Sequence, residues 1–153
     1  MIAPTHAACI VTLGMFCGAD SNTLKLLTAG SLLPDIDHPK SAVGRMFFFI
    51  SNFLHTRFGH RKGVHGFLLW GAVALLGTFY PPLLLIGLGA ISHVFLDCFS
   101  KAGVQALTPF SEKVCVLFSR KYRISVASRE DFYLLFLFLI LSWGGSYISS
   151  IGG

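Results

Sequence analysis

LLLIGLGAISHVFLDCF, from Leu83 to Phe99, is the stretch on which the reading of this chain turns. Up to Ile91 it offers only apolar side chains and glycine. Then His93 and Asp97 arrive at a spacing of i, i+4, which puts an imidazole and a carboxylate on one helical face, one turn apart. Ionisable groups in apolar surroundings cost several kcal/mol each unless they are paired or coordinated, so by default they mark a site.

Similar apolar stretches occur at Ile2 to Ala19, Thr23 to Pro34, His65 to Phe79 and Phe132 to Ile151. Each is near or somewhat below the roughly 20 residues that cross a bilayer core. The 153 residues are 54% hydrophobic and 12% charged, against roughly 25% charged in a soluble domain. With a mean hydropathy of +0.69, so small a body could not hide this much apolar surface from water. Disorder, collagen and coiled coil are excluded on the same numbers. The expectation is a single membrane-embedded domain over 1–153: an all-α, polytopic membrane helical bundle of about five membrane helices. Val43 to Leu54, VGRMFFFISNFL, is too short to span and is predicted to be one short interfacial helix. Asp20-Ser21-Asn22 and Tyr80-Pro81-Pro82 read as tight connectors.

The net charge is +5 and the pI about 9.2. Lys40, Arg45, Arg57, Arg61 and Lys62 lie between the second and third stretches; Lys101, Lys113, Arg120, Lys121, Arg123 and Arg129 lie between the fourth and fifth. The positive-inside rule then predicts a multi-pass protein of the bacterial inner membrane with both basic loops and the N-terminus in the cytoplasm, and the C-terminus outside. No nucleic acid is expected as a partner, because no basic helix carries interleaved aromatics. Cys9, Cys17, Cys98 and Cys115 show no framework spacing, so no disulfide is expected. No cleavable leader is expected either, since the first apolar stretch carries His6 near its start and has no basic segment before it.

Most of the histidines and acids gather in short clusters: His6; Asp35, Asp37 and His38; His60 and His65; His93 and Asp97. On the predicted topology each cluster sits at the cytoplasmic end of its helix, so charges and ligand positions, read separately, agree. In GHRKGVH two imidazoles flank a bend at Gly63, and in PDIDH alternate carboxylates precede an imidazole. Any one of these residues alone reads as a packing or capping group; Asp97 could pair with Lys101. Their convergence favours a metal site. Neutral imidazole with carboxylate suits zinc, and also manganese or iron, and the lack of nearby cysteine argues against a sulfur-rich structural site. His55 reads as an interfacial polar residue. A Ser-His-Asp triad using Ser92 or Ser100 would leave the other carboxylates unexplained.

PTH at Pro4–His6, GSLLPDIDHPKS at Gly30–Ser41, GHRKGVHG at Gly59–Gly66 and SHVFLDCFSKAGVQALTPF at Ser92–Phe110 resemble the YdjM-like family, small bacterial inner-membrane proteins described as membrane-bound metal-dependent hydrolases. The resemblance runs from Ala3 to about Glu130. It implies an all-helical protein, distantly similar to zinc-dependent phospholipase C. Carried over by motif, the metal ligands fall on His6, Asp35, Asp37, His38, His60, His65, His93 and Asp97, with Arg61 inside the HRxxTH-like motif. Val64 replaces the threonine usual in that motif. Glu130 sits where members often carry the glutamate of a Gly-Ser-x-x-Glu pattern, with Ala127 in place of the glycine, and it joins the ligand set on that partial match.

These readings together predict an integral membrane metal-dependent hydrolase. It would act on a phospholipid or another amphiphilic phosphoester at the cytoplasmic leaflet, with membrane lipids as partners and one to three divalent ions, zinc first, activating a water. Asp37 or Asp35 would serve as general base and Arg61 would hold a phosphate oxygen. The alternatives are a metal-binding membrane protein without catalysis: a transporter or sensor, or a structural protein stapled by its metal. The far halves of the apolar stretches, such as LLWGAVALLGTF, hold no His, Asp, Glu, Lys or Arg to make a through-route.

Overall fold

The computed structural model describes residues 1–117 and 122–151, with side chains as far as Gly145. Arg120 and Lys121 of the second basic segment lie outside the described residues. The order of elements is α1 (Ala3–Phe16), α2 (Ser21–Leu32), a 3-10 turn at Leu33–Asp37, α3 (Ala42–Met46), α4 (Phe48–Phe58), a 3-10 turn at Gly63–His65, α5 (Phe67–Leu76), α6 (Pro81–Asp97) and α7 (Arg129–Ile151). Among the described residues between α6 and α7 the chain makes isolated bridges, Ser100 with Ile124 and Val104 with Cys115. The all-helical expectation stands, with no strand among the described residues.

Local chemistry sets the boundaries. Asp20 caps α2, its carboxylate accepting from the amides of Asn22 at 3.3 Å and Thr23 at 3.2 Å. Pro34 ends that helix and tightens the chain into the turn that carries Asp35 and Asp37. Ser41 caps α3 through the Gly44 amide at 2.8 Å and donates its hydroxyl to the Asp35 carbonyl at 2.7 Å. Prolines at the start of α1 and α6 fit first-turn positions, whose amides have no partner within the helix.

α6 runs through the middle, with α2 on one side and α5 on the other; α1 packs on α2, and α7 packs on α1. The α2–α6 seam is tight because two glycines let the backbones approach. A Cβ built on Gly30 would lie 2.2 Å from the Ile86 carbonyl oxygen, and one on Gly89 would lie 2.1 Å from that of Leu27. Trp70, Ala90, Val94, Cys98, Val104 and Ala106 form the core beneath the α6 end. Asp131 in the first turn of α7 is fully buried and accepts from Ile2 N at 2.9 Å, Thr5 Oγ1 at 2.8 Å and Ala127 N at 3.0 Å, fixing the start of α1.

The expected polytopic membrane bundle is not what the chain forms: among the described residues no helix is long and apolar enough to cross a membrane. α1, α2 and α5 have 14, 12 and 10 residues. At 1.5 Å per residue each falls well short of a hydrocarbon core about 30 Å thick. α6, at 17 residues, is also short, and α7 opens on Arg129, Glu130 and Asp131. The apolar runs are cut by Gly18, Pro34 and Gly77 before they reach spanning length. The multi-pass arrangement, and the inside–outside assignment built on it, therefore lose their basis. The single interfacial helix is corrected too: Val43 to Leu54 forms parts of two helices, α3 and α4, broken at Phe47, whose φ of −115° and ψ of 48° leave the helical region.

Replacing Gly89 with alanine forces a methyl into the Leu27 carbonyl. The expected cost is about 1–3 kcal/mol of stability, read as a lowered denaturation midpoint; an unchanged midpoint would mean that the α2–α6 seam opens without penalty.

Candidate metal centre

Four chain segments deliver side chains to one point. The start of α1 supplies His6, the turn after α2 supplies Asp35 and Asp37, the loop before α5 supplies His60, Arg61 and His65, and the end of α6 supplies His93 and Asp97. His6, Asp37, His65, His93 and Asp97 are all fully buried, an arrangement that needs compensation.

At the centre, the Nε2 atoms of His65 and His93 face Asp35 Oδ1 at 3.9 and 3.6 Å, and Asp97 Oδ2 at 3.9 and 3.8 Å. These gaps are too long for hydrogen bonds. They suit donors that share one ion, since two ligands on a tetrahedral zinc with bonds of about 2.0–2.1 Å stand roughly 3.4 Å apart. Neither Nε2 has a hydrogen-bond partner among the described residues. His6 lies stacked on His93, ring centroids 3.7 Å apart, with its Nε2 3.4 Å from Asp97 Oδ1 but unaligned for a hydrogen bond, and its Nδ1 also unpartnered. Buried unpartnered nitrogens aimed at carboxylates are what a cation would satisfy, so the residues fit a divalent metal. The candidate triads are His6–His93–Asp97, Asp35–His65–His93 and Asp37–His60–His65; His93 links the first two and His65 the last two.

The far nitrogens are anchored. His93 Nδ1 bonds the Ser31 carbonyl at 2.6 Å, and His65 Nδ1 bonds Asp37 Oδ2 at 3.0 Å. Such partners fix the tautomer and leave Nε2 free as a ligand. Asp37 also receives His60 Nδ1 at 2.8 Å and the Arg61 amide at 3.1 Å, so both its oxygens are engaged. To give up that amide, Arg61 takes a left-handed φ of 63°, a strained choice for arginine. Its guanidinium then reaches Asp97 Oδ2 at 3.2 Å and Ser100 Oγ at 2.7 Å. The α-amino group of Met1 meets Asp97 Oδ1 at 2.8 Å.

The electrostatics follow from these neighbours. Burial, helped by the adjacent His6, holds His93 well below its ordinary pKa against the pull of Asp97, so the imidazole stays neutral as a ligand must. For Asp97, burial opposes ionisation but is outweighed by His6, the Met1 amine and Arg61, and the carboxyl titrates well below its usual range. Asp37 behaves alike: burial would raise it, and the bonds and charges of His60 and His65 lower it by more.

His38 lies outside the inner donors, its ring 4.6 Å from that of His60 and its Nδ1 accepting from the Lys40 amide at 3.2 Å. His55, read from sequence as a bystander, bonds the Asp37 carbonyl through Nδ1 at 3.1 Å. Glu130 is exposed and bonded to Ser128, outside every group of converging donors. Its buried neighbour Asp131 was missed, and the sequence held only a faint signal for it, an acid in the first turn of a helix. Ser31 was missed as well, and Ser100, weighed only as a triad nucleophile, was not read as the partner of Arg61, because a backbone carbonyl acceptor and a hydroxyl in a bend leave no pattern.

The fold and the site define an all-helical protein built around a buried histidine–aspartate centre able to hold a metal ion. The chain belongs to the YdjM inner membrane protein family, whose description matches it over residues 1–151. It is 43% identical over 89 residues to the inner membrane protein YdjM of Escherichia coli (strain K12), which covers 51% of this chain and 44% of that protein. It is 33% identical over 89 residues to the YvsG protein of Bacillus subtilis (strain 168), covering 56% of each. To the YfhP protein of the same organism it is 34% identical over 116 residues, 68% of this chain and 34% of that one. The chain thus spans about half the length of the curated relatives it matches, or less. No solved structure matches it. The family's name points to the inner membrane.

Asp37→Asn, which keeps the shape but removes the charge behind His65, should weaken metal binding about 10–100-fold without unfolding the protein. Competition with a chelator of known affinity measures it, and undiminished affinity would show that His65 needs no carboxylate to orient it.

Proposed function

We propose that this protein is a metal-dependent hydrolase of the inner membrane, acting on a phospholipid or another amphiphilic phosphoester. The observation that carries the reading is the meeting of two buried, unpartnered imidazole nitrogens, of His65 and His93, with the carboxylates of Asp35 and Asp97. Zinc fits this nitrogen and oxygen set best, with manganese and iron as neighbours in preference. Asp35–His65–His93 would hold one ion, and His6 with Asp97 would complete it or hold a second.

A divalent ion bound there supplies Lewis acidity and a water whose pKa is lowered toward neutrality. Around it the chain's own groups divide the remaining work. Asp35 is the inner carboxylate on the open side, its side chain 19% exposed against 1–2% for Asp37 and Asp97, and it is placed to take a proton at the basin's edge. Asp37, engaged on both oxygens, orients His60 and His65 instead. Arg61, fixed by Asp97 and Ser100, lines a basin of about 390 Å³ with Asp35, His38 and His60, and offers its remaining N–H groups to phosphate oxygens. Exposed Lys40, Lys62 and Lys101 give a basic surface suited to anionic headgroups, and the exposed apolar side chains of α4, among them Phe49 and Phe53, suit lipid contact.

A second reading is favoured by the origin of the donors in separate segments: a metal that only staples α1, the turn after α2, the loop before α5 and the end of α6 together. Two variants separate the readings. His93→Ala should lose both bound metal, by plasma mass spectrometry, and at least about 100-fold of activity on a phosphoester panel. Arg61→Gln, which leaves every candidate ligand in place, should keep most of the metal and lose activity by about tenfold or more. A wild-type protein that is folded and metal-loaded yet cleaves none of the panel would leave stapling as the answer; a folded, metal-free wild type would sink both.

A further inference from the structure

An apolar cleft of about 350 Å³ lies between α1, α6 and α7, and no polar atom is exposed on its wall. Cys9 and Leu13 of α1, Phe95 and Leu96 of α6, and Leu134 and Phe138 of α7 form it. It has the size of a small-ligand pocket, and none of the site chemistry described above uses it.

Its position says what fits. Leu96, on its wall, immediately precedes Asp97 of the metal centre, and Cys9 lies one helical turn beyond His6. The segment leading into α7 runs past both openings, since Ile124 lines the cleft and Val126 lines the basin of Asp35, His38, His60 and Arg61; Met1 lines both. A molecule filling the two together must be polar and anionic at one end, to face Arg61 and the imidazoles, and a bare hydrocarbon at the other. A second protein segment fits poorly, because the wall offers nothing to the amide groups of a peptide backbone.

We propose that this cleft is the acyl-chain subsite of the centre: it receives a hydrocarbon tail of an alkyl or acyl phosphoester whose phosphate lies in the basin beside Arg61. The inference rests on the hydrolase reading and narrows it, from amphiphilic phosphoesters in general to those with a flexible chain that leaves the bilayer to enter the protein. Preference should rise with chain length until the cleft is filled, since each buried methylene adds apolar contact.

The experiment uses the full chain, metal-loaded, titrated calorimetrically with inorganic phosphate, ethyl phosphate and octyl phosphate, the last below its micelle-forming concentration. Octyl phosphate should bind at least about tenfold more tightly than ethyl phosphate. Leu134→Trp, which fills the cleft, should reduce that ratio to about one, with metal content reporting that the variant is folded. Should it fail to fold, Leu13→Trp, at a half-exposed position on the rim, gives the same readout. Equal affinities of the two esters in the wild type, with inorganic phosphate still bound, would overturn the acyl subsite and leave the hydrolase reading standing. An undiminished ratio in both folded variants would place the chain elsewhere and equally overturn it. If neither phosphate nor its esters bind the metal-loaded protein, both readings fall together.

Discussion

One buried carboxylate organises the centre. Asp37 accepts from His60 Nδ1, the Arg61 amide and His65 Nδ1, so three donors from a single loop converge on a side chain delivered by the turn after α2. A carboxylate taken out of water needs such donors, and the loop has few other ways to place its polar groups. The bond to His65 turns Nε2 toward Asp35 and Asp97; the bond to the Arg61 amide holds that residue left-handed, which sends its guanidinium across to Asp97 and Ser100. Removing the one carboxylate would loosen an imidazole ligand, an arginine and the join between two segments at once.

The site was more legible in the sequence than the fold around it. His93 and Asp97 could be paired because a helix has a fixed period, and His60 and His65 because a glycine bend separates them. Which nitrogen each imidazole would present was not legible, since that depends on a carbonyl of Ser31 and a carboxylate of Asp37 brought in from distant segments. Asp35 and Asp37, two residues apart, looked equivalent; one faces the basin and the other sits behind His65 because the 3-10 turn points them apart. Glu130 and Asp131 differ for a related reason. Adjacent residues on a helix point about 100° apart, and only the second faces α1.

Helicity was legible from apolar runs and their breakers, but span length was not. A run of apolar letters counts glycine and alanine as membrane-facing, whereas here Gly30 and Gly89 serve contact between helices, closing a seam where the backbones nearly touch. High hydropathy therefore reports two different things: surface that is buried between short helices, and side chains such as Met46, Phe49 and Phe79 that stay exposed. Exposed apolar groups agree with an inner-membrane family without requiring a helix to cross the bilayer.

The balance between a working centre and a mere staple turns on closure. A structural metal is best served by donors that shut solvent out on every side, because any open position weakens the grip without return. Here the closure is lopsided. His65 and His93 are fully buried and Asp97 nearly so, whereas Asp35 keeps an exposed edge on a basin that also receives His38, His60 and Arg61. Stapling has no use for the N–H groups that Arg61 leaves over for the basin, nor for a hydrocarbon-lined cleft whose wall includes Leu96, the residue before Asp97. Both features fit the proposed reading, in which an anionic head and an apolar tail arrive together, and the asymmetry supports proposing it over mere cross-linking.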